Sequence, residues 1–61
     1  MKRPTQREYN DEVVRLAETF IKNGDFNWLN QETERVAAAL GVPANTMAVD
    51  VEWHIEDLIG L

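Results

Sequence analysis

His54 is the only histidine of the chain, with Asp50 four residues before it and Asp57 three after. On a helix these spacings place the three side chains on one surface strip. A carboxylate beside an imidazole is the arrangement of an oriented general base, and also the start of a metal site. Three ligands from one helix do not close a coordination sphere unless a loop faces them. A histidine near a helix C-terminus is welcome there because of the helix dipole. The reading adopted is therefore a solvated histidine. The other routes to chemistry are closed by composition. The chain has neither Ser nor Cys, and its hydroxyls are Thr5, Thr19, Thr33, Thr46 and Tyr9, none in a nucleophile–base pattern. Its glycines, Gly24, Gly41 and Gly60, are too scattered for a phosphate-binding loop. The carboxylate pairs Asp11-Glu12 and Glu56-Asp57 fall on predicted outer helix faces, where no cleft is expected. No catalytic, cofactor-binding or metal-ligating residue is assigned, and the expectation is a protein that is not an enzyme.

The elements that carry these residues follow from spacing and punctuation. Thr5-Gln6-Arg7-Glu8 fits a capping box at a helix start. Tyr9, Val13, Leu16, Ala17, Phe20 and Ile21 then recur at helical spacing, and Asn23-Gly24 stops the run. Asp25 to Leu29 reads as a short connection whose aromatics, Phe26 and Trp28, are expected under the domain. The second helix is expected to be capped by Asn27 or Asn30, with Glu32 and Glu34 in its first turn. Leu29, Thr33, Val36, Ala37 and Leu40 mark its inner face. Gly41, Val42 and Pro43 predict a Schellman-type stop. The third helix is expected from about Asn45, its cap, to the chain end. Its main stripe is Met47, Val51, Ile55, Leu58 and Ile59, and Val49 and Trp53 fall on a second apolar face, which must meet the aromatic loop, another copy of the chain or a partner. Residues 1–4 read as a free tail and 5–61 as a single helical domain.

Length and charge narrow the function classes. A chain of 61 residues has room for one domain and buries a small share of its surface. Without cysteine it has no disulfide to compensate, so regular helix packing, self-association or a partner must serve. No stretch is apolar enough to span a bilayer, and Met1-Lys2-Arg3-Pro4 is followed by no apolar segment of a secretory signal. A cytoplasmic location is expected. The net charge is −5, unevenly spread. Residues 1–35 hold six bases against seven acids, whereas 36–61 hold Asp50, Glu52, Glu56 and Asp57 and no base. Such a half repels phosphate backbones and favours basic partners.

Val36 to Val51 resembles the centre of a helix-turn-helix motif. Ala37 stands at its small inward position, Gly41 at its turn, Val42 as the buried turn residue and Met47 as the apolar residue six further on. The resemblance implies a tight corner between the second and third helices. It departs from the motif at Asp50, where an apolar residue belongs. The face that would read DNA would present Pro43, Ala44, Asn45, Ala48, Val49 and Glu52, of which Asn45 alone suits a base edge. No Lys or Arg follows Arg35 to hold phosphates.

The fold expected is all-α, a small three-helix bundle with a helix-turn-helix-like corner between helices 2 and 3. The function expected is an acidic protein-binding module: an inhibitor, adaptor or regulatory subunit of the kind phages and plasmids carry. Val49 and Trp53 would anchor it, with Asp50, Glu52, Glu56 and Asp57 meeting a basic surface such as that of a nucleic-acid-binding enzyme. The alternatives are a helix-turn-helix DNA-binding regulator and a self-associating piece of a larger assembly, with a homodimer formed through Val49 and Trp53. No cofactor and no membrane partner are expected, and direct nucleic-acid binding is disfavoured.

Overall fold

A computed structural model describes residues 5–60, so the tail predicted at residues 1–4 lies outside the described residues. The chain forms three helices, α1 (Gln6–Asn23), α2 (Phe26–Leu40) and α3 (Ala44–Ile59), each packed against the other two. Among the described residues there is no strand. The result is a small all-α bundle, as the spacing predicts.

The helix ends have local causes. The Glu8 N–H donates to the Thr5 hydroxyl oxygen (3.0 Å), and that hydroxyl donates to the Glu8 carboxylate (3.3 Å). This is the Thr5 cap with its Glu8 partner. Gly24 ends α1 at φ 66°, its N–H reaching the Phe20 carbonyl. The next helix resumes at once. Asp25, rather than Asn27 or Asn30, is its cap, accepting from the Trp28 N–H at 3.1 Å. Asn23 accepts from the Asp25 N–H, which holds the cap in place. No connection is left for the two aromatics, and Glu32 and Glu34 lie past the first turn. Phe26 is 68% exposed, its ring tilted 54° against that of Phe20 at a centroid distance of 4.7 Å rather than buried beneath the domain. Trp28 is half-buried against the core.

The corner between α2 and α3 follows the expected Schellman geometry. Gly41 takes φ 73°, its N–H donates to the Ala38 carbonyl, and the Val42 N–H donates to Ala37. Pro43 precedes α3 directly, and its carbonyl accepts from the Met47 N–H. Asn45 is thus inside the first turn and is not the cap. The turn is too short to leave room for a capping residue after the proline. The Asn45 side chain instead meets the Thr46 N–H.

The core consists of Val13, Leu16 and Ala17 from α1, Leu29, Val36 and Ala37 from α2, and Met47 and Val51 from α3. Thr33 is buried with them. Ala37 is the smallest side chain that α2 gives to this core, and Met47 of α3 has no exposed surface. Burying a side chain of that size contributes about 1.5–3 kcal/mol. The α3 stripe is buried at Met47 and Val51 and half-buried at Ile55. Leu58 (47% exposed) and Ile59 (54%) are not core residues. They continue the period past the point where neighbouring helices cover it.

Helices α1 and α3 run in the same direction. Tyr9, near the start of α1, bonds Asp50, and Ile21, near its end, shares a surface hollow with Leu58. The side of α3 that faces away from both neighbours is consequently presented to solvent along its full length.

Candidate functional site

Successive α3 side chains rotate by about 100°, so Val49 and Trp53 point directly away from the Met47–Val51 core line. Both are exposed, Trp53 at 70%. The indole neither covers the Phe20–Phe26 pair nor packs into the core. Glu52 and Glu56 flank this apolar line on one side, and Asp50 and Asp57 flank it on the other. All four are exposed. The six residues singled out in the sequence are therefore on one helix face, with the apolar pair in the middle and two carboxylates along each edge.

The Asp50 edge is built most firmly. A groove runs between α1 and α3, with Tyr9, Asn10 and Val13 on one wall and Asp50, Trp53 and Asp57 on the other. The Tyr9 hydroxyl donates to Asp50 Oδ2 across it. Burial raises the Tyr9 pKa to about 12, with help from the hydrogen bond to Asp50 and its negative charge. The phenol therefore keeps its proton and the carboxylate is held in one orientation. Opposite, the Gln6 amide N–H donates to Asn10 Oδ1 at 3.0 Å.

By its spacing Tyr9 belongs to the inner stripe of α1, which assigns it no role at the site. Its polar tip, on an otherwise apolar stripe, was the signal available. His54, expected in solvent, is half-buried and also lines this groove. Among the described residues, no three His, Asp or Glu side chains converge on a point where a metal ion would sit.

The cations lie elsewhere. Arg15 pairs with Glu12 at 2.8 Å and Arg35 with Glu32 at 2.6 Å, each three residues apart on its own helix. Arg35 and its partner stabilise each other's charged forms, lowering the Glu32 pKa and raising that of Arg35, mainly through their hydrogen bond. Of the face that would read DNA in a helix-turn-helix protein, Ala44 and Ala48 are half-buried, and Asn45, Val49 and Glu52 are exposed. No helix of the described residues is long and apolar enough to cross a membrane.

Compared with known protein families, curated proteins and solved structures, the chain matches none.

Proposed function

We propose that the chain is a protein-binding module that docks the outer face of α3 on a partner. The observation that carries this reading is Trp53, a large aromatic projecting into solvent from a well-formed helix, with Val49 one turn before it. Large aromatics are enriched at binding hot spots, and a rim that excludes water strengthens them. Asp50, Glu52, Glu56 and Asp57 give that rim one sign of charge, which speeds encounter with a basic surface and rejects acidic ones. The protein would act by occupying that surface, as an inhibitor, adaptor or regulatory subunit. A nucleic-acid-binding partner is one source of such a surface.

The corner of Ala37, Gly41 and Met47 favours a second reading, a DNA-binding regulator. It would have to bring four carboxylates of α3 towards phosphates, with Asn45 as the one side chain suited to a base.

The test is a pull-down of the tagged full chain, with and without nuclease, beside Trp53→Ala and the double change Glu52→Lys/Glu56→Lys. The expected result is a stoichiometric protein that survives nuclease and is lost with either variant. A partner retained by both variants would remove α3 as the docking face. Binding that vanishes with nuclease and depends on Asn45 would replace the reading with the DNA-binding one. A concentration-dependent dimer that Trp53→Ala makes monomeric would replace it with self-association.

A further inference from the structure

We propose that the groove between α1 and α3 seats an arginine side chain of the partner protein. This rests on the reading of α3 as a docking face and names the chemistry of its occupant. One wall holds Asp50, Trp53 and Asp57 at spacings of three and four, so the indole stands between two carboxylates on one helical strip. The opposite wall offers the Tyr9 ring, an apolar surface on which a methylene stem can lie, beside the Gln6 and Asn10 amides and the buried Val13. Asp50 is oriented by the Tyr9 hydroxyl through Oδ2, and its Oδ1 accepts no hydrogen bond within the described residues.

An aromatic wall, a carboxylate edge and an apolar lining together select a long, cationic and flat side chain. Arginine meets all three requirements: its stem lies on the lining, its guanidinium stacks on the indole, and its N–H fork reaches a carboxylate. Lysine meets two, because a strongly hydrated ammonium gains less from the indole face. A second copy of this chain is a poor source of the group: its α3 carries no Lys or Arg, and its Arg15 and Arg35 are already paired with Glu12 and Glu32, which leaves Arg7 among the described residues.

The test is an NMR titration of the full chain with blocked hexa-arginine and hexa-lysine peptides, which carry equal charge. Hexa-arginine should shift the Trp53 indole N–H and the Tyr9 region, and bind about two- to fivefold more tightly than hexa-lysine, the size of an exposed cation–π contact. Trp53→Leu should abolish the difference between the peptides, and Asp50→Asn should weaken both. Equal affinities would overturn the arginine seat and leave docking through α3 standing. Hexa-arginine shifts confined to other surfaces, or no binding, would also overturn it, while the pull-down judges the docking face independently.

Discussion

The phenol of Tyr9 donates a hydrogen bond to Asp50, 41 residues later in the chain and on a different helix. It ties α1 to the solvent face of α3 at the edge of the proposed interface. Tyr9 is the only tyrosine, so its ionisation can be followed by absorbance without interference from a second phenol. Its folded pKa stands above the ordinary value of 10.0, near 12. The folded state therefore holds this proton more tightly than the unfolded state does. That stabilisation is complete below pH 10 and is lost as pH rises from about 10 to about 12. The expected tyrosinate midpoint is near 12 in the parent chain and falls towards 10 in Asp50→Asn. A midpoint of 10 in the parent would remove the bond. Tyr9→Phe should cost about 0.5–1.5 kcal/mol in urea unfolding.

Trp53 and Trp28 differ in surroundings, one exposed and the other half-buried against the core. Trp53→Phe should leave a protein with bluer emission and weaker acrylamide quenching than Trp28→Phe. The reverse order would place Trp53 inside the bundle.

The same contrast governs stability. Met47 has no exposed surface, and Met47→Ala should destabilise by about 2–5 kcal/mol, enough to unfold a domain this small. Trp53→Ala should change stability by less than about 0.5 kcal/mol. Thermal or urea melts check both, and a large loss in Trp53→Ala would mean that its binding defect reports unfolding rather than contact.

The caps give a third pair. Asp25→Ala should cost about 1 kcal/mol, because the Trp28 N–H loses its acceptor. Asn27→Ala and Asn30→Ala, already inside α2, should be close to neutral in the same melts. Equal losses at all three positions would contradict the helix start at Phe26.

Much of this architecture is readable from local pattern. Thr5 with Glu8, Gly24, and Gly41 with Val42 act within six residues of themselves, and each does what its neighbours require. The stripe Leu29, Thr33, Val36 and Ala37 is buried as its spacing predicts. The cap of α2 is ambiguous in the sequence, because Asp and Asn are near-equal caps and Asp25, Asn27 and Asn30 crowd its start. Leu58 and Ile59 continue the main stripe of α3 yet are exposed, because periodicity reports direction from a helix axis and not whether a neighbour extends that far. At the site, the acidic and apolar residues of α3 share a face by helical geometry alone. The contribution of α1 was not legible, since no local rule joins Tyr9 to Asp50.

The closed corner at Gly41 and Val42 also bears on the order of events in folding. Its bonds to Ala37 and Ala38 span few residues, so α2 and α3 can meet with little loss of chain entropy. The pairing of α1 with α3 must instead close a loop that contains all of α2. If the corner forms before the transition state and α1 docks after it, lesions at Ala37 or Met47 will slow refolding. Tyr9→Phe will then leave refolding nearly unchanged and hasten unfolding. In that order, the groove beside Trp53 is the last part of the molecule to be assembled and the first to open.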